Sequence, residues 1–277
     1  MGRVLRNRFT AALERLNQIA DRGSYGQTPA DLQVDVHAVA LATDFFQIAG
    51  ILPTEIPKQI GLDLTKALEG KLELTGRPRV AEEFFSQFWF GLVLARGGVA
   101  PNVPKAQRDR ATPDYLVSVD TMECAFEVKR PESVHSATGA MDRAASQIRD
   151  YGKPGFIVLD LTDALFSPDM SVAFMDEPGR LLDVVKPRLD DCATRLEGRV
   201  RNYTLSNKYS RVLGLVVLVR LHFWEKPDLS QPKGQYLLYM ITFREAWTGL
   251  VVDQSEKLKR IIFAGAAEVA GGAVHKL

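Results

Sequence analysis

Over the first third of the chain the apolar residues recur at helical spacing, and near residue 115 the pattern changes to the alternation of strands. Phe9, Leu13, Leu16 and Ile19 mark a first amphipathic helix. A Gly/Ser/Pro loop at 21–29 separates it from a second helix over 32–49, with stop signals at Gly50 and Pro53. A third, shorter helix is expected at 59–69, closed by Gly70. In the next helix, 79–96, Val80, Phe84, Phe88, Leu92 and Ala95 form one stripe, with Phe85, Trp89 and Val93 beside it. It is apolar nearly all round beyond its first turn and should be buried. A Pro-punctuated linker at 99–111 carries Lys105, Arg108 and Arg110.

Residues 115–119 and 122–128 are rich in β-branched, aromatic and apolar side chains and read as two strands joined at Asp120-Thr121. Alternation separates Met122, Cys124, Phe126 and Val128, an apolar face expected to pack inward, from Glu123, Ala125, Glu127 and Lys129. With a two-residue loop the paired positions sum to 241, so 119 faces 122 and Asp114 faces Glu127. Their Cβ atoms would then lie roughly 4.5–5.5 Å apart. Asp-Thr lacks the Gly that tight hairpin turns favour, so a register slip or a longer loop stays open. Like charges directly opposite repel unless a positive charge lies between them. A divalent cation fills that need, since Mg²⁺ typically takes one or two carboxylates and keeps several waters. Lys129 projects from the same face as Glu127.

Beyond the hairpin, 132–138 reads as loop and 139–151 as a helix with Ala140, Ala144, Gln147, Ile148 and Tyr151 on one broad face. A buried-type strand follows at 156–161, a loop at 163–178 and a long helix at 179–201. The strongest strand after the hairpin is 213–220, expected to be central, followed by another at 235–243. A terminal helix spans 253–267, and the Gly-rich end beyond it is expected to fray.

Composition narrows the function classes. A net charge of +1 gives no global signature of nucleic-acid binding, so any such contact must come from local patches. The two cysteines, Cys124 and Cys192, build neither a disulfide framework nor a zinc cluster. The four histidines are scattered and pair with no obvious nucleophile, and there is no phosphate-binding loop, dinucleotide fingerprint or HExxH. The first residues lack a continuous apolar stretch and the run 213–219 is too short to span a bilayer, so the expected location is cytoplasmic, with no membrane partner. Basic residues and tyrosines interleave between 186 and 211, but Asp190, Asp191 and Glu197 dilute them, so a solvated helix face is at least as good a reading as a nucleic-acid track.

Pro113-Asp114 followed by Glu127-Val128-Lys129 resembles the PD-(D/E)xK motif of the restriction-endonuclease-like nucleases, and Gln147-x-x-x-Tyr151 is similar to the QxxxY element of the RecB-like branch. The resemblance implies an α/β fold: a restriction-endonuclease-like core over 76–277, with a mixed central sheet flanked by helices, and a helical N-terminal extension over 1–75. It implies an Mg²⁺-dependent phosphodiesterase acting on nucleic acid, DNA in the first instance, with Mn²⁺ as a substitute. Asp114 and Glu127 would hold the metal, assisted by a helical glutamate. Glu83 is chosen over Glu82 because Gln87 continues its face with a polar group. Lys129 would stabilise charge in the reaction, Gln147 would support the catalytic groups, and Tyr151, Lys105, Arg108 and Arg110 would contact nucleic acid. A homodimer or a partner protein is compatible with this reading. The rival reading is a nuclease-like fold that binds or assembles without catalysis.

Overall fold

The structure is a computed structural model that describes residues 7–55, 79–104, 111–165, 172–175, 179–225, 233–242, 249–269 and 274–276. The expected helix at 59–69 and the basic residues Lys105, Arg108 and Arg110 lie outside the described residues. The protein is α/β, with a mixed sheet flanked by helices. Its helices are α1 (Arg8–Arg22), α2 (Pro29–Glu55), α3 (Arg79–Arg96), α4 (Val134–Tyr151), α5 (Thr162–Leu165), α6 (Gly179–Leu205) and α7 (Gly249–Val269). Its strands are β1 (Tyr115–Val119), β2 (Met122–Lys129), β3 (Gly155–Asp160), β4 (Val172–Met175), β5 (Val212–Glu225), β6 (Lys233–Thr242) and β7 (Val274–Lys276).

The sheet order is β1-β2-β3-β5-β6-β7, with β4 on the far half of β5. β1 and β2 are antiparallel, β2, β3 and β5 run parallel, and β6 turns back against β5. Parallel strands need a crossover, which α4 supplies between β2 and β3. Strand β5 is central, as its uninterrupted apolar run implies for a strand covered on both faces.

Alternation along the strands sorts the core into two layers. Cys124, Phe126 and Val128 of β2, with Phe156 and Val158 of β3, join α3 and α7 on one face. Ile157 and Leu159 of β3, with Leu215 and Val217 of β5, join α4 and α6 on the other. Phe126 stacks on Phe156 with ring centroids 5.6 Å apart, and Phe90 packs tilted against Phe126 at 5.4 Å within the first layer. The α3–α7 contact depends on small residues: a Cβ at Gly265 would lie 1.9 Å from the Val93 carbonyl oxygen, and one at Gly97 would lie 2.3 Å from that of Ile261.

Helices α1 and α2 form a hairpin held at Asp35, which is buried and accepts from Arg15, from Arg22 at 2.7 Å and from the Gly26 amide at 2.7 Å. Ala12, Leu41 and Phe45 carry the hairpin into the same apolar cluster as Phe85 of α3. The N-terminal helices therefore share the core layer that covers the sheet.

Several boundaries differ from the sequence expectation. Helix α2 runs through Gly50 and Pro53 to Glu55; Gly costs about 1 kcal/mol and Pro about 3 kcal/mol within a helix, local terms that a longer helical context can override. Helix α4 begins five residues earlier than 139, because Ser133 and Ser136 form a reciprocal capping box in a stretch that reads as loop. The loop expected at 163–178 contains α5 and β4, and the Gly-rich end carries β7, which pairs with β6 instead of fraying.

Candidate active site

The hairpin adopts the register in which partners sum to 241: Tyr115 faces Phe126 and Val119 faces Met122. Asp120 supplies the turn at φ 53°, a left-handed conformation that Asp tolerates better than most residues. Asp114, one residue before β1, lies at the level of Glu127, and its Oδ2 accepts the Val128 amide at 2.7 Å. Along β1, the Asn102 and Leu116 backbones exchange hydrogen bonds at 2.8 and 2.7 Å, which anchors the segment leading toward Asp114.

Glu127 and Lys129 share the face of β2 opposite its apolar residues. That face was expected simply to carry charge, yet it too is covered: α4 packs over β2 and β3, and Glu127 is only 1% exposed. Lys129 Nζ donates to Glu127 Oε1 at 2.6 Å and lies 3.9 Å from Glu83 Oε1. Glu127 Oε2 is buried, and no described residue donates a hydrogen bond to it. The structure thus brings Asp114, Glu127, Lys129 and Glu83 to one place, near the carboxyl end of a parallel strand. Open α/β sheets bind ligands beyond that edge.

The electrostatics follow from two acids sharing little water. Burial and the neighbouring Glu127 push the Asp114 carboxyl well above its ordinary value, against the pull of Lys129 and the Val128 amide. Burial also raises Glu127, opposed by Lys129. For Lys129 burial disfavours the ammonium, but Glu127 and Asp114 outweigh it, so its pKa lies above the ordinary value. Each carboxylate is therefore short of positive charge, and one lysine serves both.

Glu83 is 43% exposed and touches the pair through Lys129; the Glu82 side chain lies outside the described residues. Among the described residues, no group of three or more His, Cys, Asp or Glu side chains is placed to hold a metal ion. The acidic centre is thus a pair, with Glu83 at its rim. Gln147 and Tyr151 are half-buried on α4, and among the described residues neither is hydrogen-bonded to Asp114, Glu127 or Lys129. Several basic residues of α6 are paired, Lys186 with Asp190 and Arg195 with Asp191 along the helix and Arg199 with Asp142 of α4, which favours the solvated-face reading of 186–211.

One buried network had no counterpart in the sequence reading. Asp160, at the end of β3, accepts from Ser86 at 2.5 Å, Thr162 Oγ1 at 2.6 Å, Arg220 at 2.9 Å and Arg130 at 3.2 Å. Arg130 also holds Asp163 through two bonds, at 2.8 and 3.0 Å. The Arg220 guanidinium lies over Phe85, 4.7 Å from the ring centroid. Arg130 and Arg220 draw the Asp160 carboxyl far below the usual range despite its burial. The available signal was a single charge ending each apolar run, Asp160 after Phe156 to Leu159 and Arg220 after Leu213 to Val219.

The fold and site therefore define an α/β protein with an acidic pair, Glu127 buried and Asp114 half-buried, and a lysine at a sheet's carboxyl edge. Comparison with protein-family models, with curated proteins and with solved structures found no match to this chain. Among the described residues, no helix is long and apolar enough to cross a membrane.

Proposed function

We propose that this chain is a metal-dependent nuclease of the restriction-endonuclease-like fold, hydrolysing phosphodiester bonds in DNA. The observation that carries the reading is the buried, unpartnered Glu127 Oε2 beside Asp114. A buried polar atom without a hydrogen bond costs about 1–3 kcal/mol, and more when charged, so such an atom calls for an explanation. The donor set fits a hard cation: two carboxylates, each with one oxygen that accepts from a described residue and one to which no described residue donates. Asp114 and Glu127 would hold Mg²⁺, with Mn²⁺ as a substitute. When bound, that cation supplies Lewis acidity toward the scissile phosphate and lowers the pKa of a coordinated water.

The chain's own residues do the rest. Asp114 is fixed by the Val128 amide, so its position is set by the β1–β2 register. Lys129 keeps a positive charge where negative charge grows on the phosphate oxygens, and it needs no reorganisation to do so. Glu83 steadies Lys129 from the rim of the site. Gln147 and Tyr151 on α4, and the basic segment bearing Lys105, Arg108 and Arg110, are proposed to flank the bound strand.

The test is incubation with linear and closed-circular DNA in Mg²⁺, in Mn²⁺ and in EDTA. The expected result is cleavage with either metal and none in EDTA or with Asp114→Ala. Nicking of the closed circle would make the enzyme an endonuclease. DNA binding without cleavage in either metal would instead support the non-catalytic binding protein.

A further inference from the structure

Lys129 occupies the position from which a positive charge acts on both acids of the pair. Its ammonium is bonded to Glu127 Oε1 at 2.6 Å, and its side chain is 15% exposed against 1% for Glu127. Within reach of this one cation lie three carboxylates, Asp114, Glu127 and Glu83, so the cluster retains an excess of negative charge. The other Glu127 oxygen, Oε2, is buried and receives no hydrogen bond from a described residue.

We infer that Lys129 is the site's resident counter-ion, which sits on Glu127 Oε1 and sets how tightly a divalent cation is held by Asp114 and Glu127 Oε2. This rests on the metal-dependent reading above and adds a regulating role for the lysine in metal loading. A buried and a half-buried carboxylate without any counter-charge would weigh against folding, and the ammonium offsets that before a metal arrives. The same charge then repels an incoming divalent ion across a few ångströms of low-dielectric interior. The lysine thus trades metal affinity for a metal-free site that folds. Replacing it with a neutral side chain of similar length should tighten metal binding while removing the charge that stabilises the reacting phosphate.

Calorimetric titration of Mn²⁺ into the wild type, Lys129→Met and Lys129→Arg separates charge from packing. The expected result is binding about ten- to hundredfold tighter in Lys129→Met, estimated from the repulsion removed, with Lys129→Arg within about threefold of wild type because the charge stays. If Lys129→Met folds only with Mn²⁺ present, the EDTA concentration that unfolds it reports the affinity instead. A Lys129→Met protein that stays unfolded in saturating Mn²⁺ overturns the inference, since the metal would have failed to replace the ammonium. Equal or weaker Mn²⁺ binding by a folded Lys129→Met overturns it too, and leaves the nuclease reading standing. Absence of Mn²⁺ binding in all three proteins removes both.

Discussion

Two buried acids near the ends of neighbouring strands of one sheet meet opposite fates. Asp160 has both oxygens engaged, Oδ1 by Thr162 and Oδ2 by Ser86 and two arginines, and its carboxyl is held far below the ordinary range. Glu127, two positions before the end of β2, has one oxygen on Lys129 and one with no described partner, and its carboxyl is pushed up. Burial alone therefore does not decide the charge state of an acid. The number of positive charges and donors around it decides: two guanidiniums converge on Asp160, with Asp163 and Asp44 as their further partners, while a single ammonium faces Glu127, Asp114 and Glu83. The Asp160 cluster ties α3, β3, β5 and the residue after β2 into one rigid node. The Glu127 cluster sits against that node and is left short of positive charge.

If this contrast is correct, Asp160→Asn should be the most damaging change. It removes the carboxylate that Arg130 and Arg220 share, leaving Arg130 with Asp163 and Arg220 with Asp44 at 3.9 Å, with an expected loss of about 3 kcal/mol in urea unfolding. A loss below about 1 kcal/mol would erase the contrast. The next largest effect concerns rate. Lys129→Ala should reduce DNA cleavage by about 10²-fold or more in single-turnover assays with Mg²⁺, with far-UV dichroism in the same Mg²⁺ buffer unchanged. Lys129 lies at the mouth of the site, so its removal opens no apolar cavity.

The acidic pair should respond to pH and mutation in the opposite sense to Asp160. Because the folded-state pKa values of Asp114 and Glu127 are raised, these groups favour folding below the ordinary carboxylate value of about 4, and that contribution is lost as pH rises through their raised values. In EDTA at neutral pH, Glu127→Gln should thus be no less stable than wild type, with a gain of up to about 1–2 kcal/mol by relief of desolvation and repulsion. The difference should shrink as pH falls toward 4. Asp160, with its depressed folded value, contributes stability above about pH 4 that fades only on further acidification. Urea melts of both variants from pH 2 to 8 measure the two trends. The smallest effect is expected for Ser86→Ala, which removes one donor from a carboxylate that keeps its arginines; about 1 kcal/mol is anticipated, with metal binding preserved.

The hairpin was legible because its information is local. Alternation fixed the faces of β2, and the two-residue connection at Asp120-Thr121 fixed the register that sets Asp114 against Glu127. The burial of Glu127 was not legible, since it depends on α4 crossing over β2, a packing event that alternation does not encode. The Asp160 network joins residues 74 and 60 positions away in the chain, Ser86 and Arg220, and no short-range pattern links them. The early start of α4 was written in Ser133 and Ser136, but next to Pro131 a serine pair reads equally well as loop. Strand β4 is four residues long and gains its definition from pairing with the far half of β5, a partner about 50 positions away.

The central claim, that the Asp114–Glu127 pair is a divalent-cation site left short of positive charge, is tested most directly by thermal melting with and without Mn²⁺. The measurement compares wild type, Glu127→Gln and Ser86→Ala. Binding to the folded state alone raises stability by mass action, about 2.7 kcal/mol at a hundredfold excess over Kd. The account predicts a melting temperature that rises with Mn²⁺ in wild type and in Ser86→Ala, with most of that rise gone in Glu127→Gln. A wild-type melting temperature indifferent to Mn²⁺, or an undiminished rise in Glu127→Gln, would contradict it.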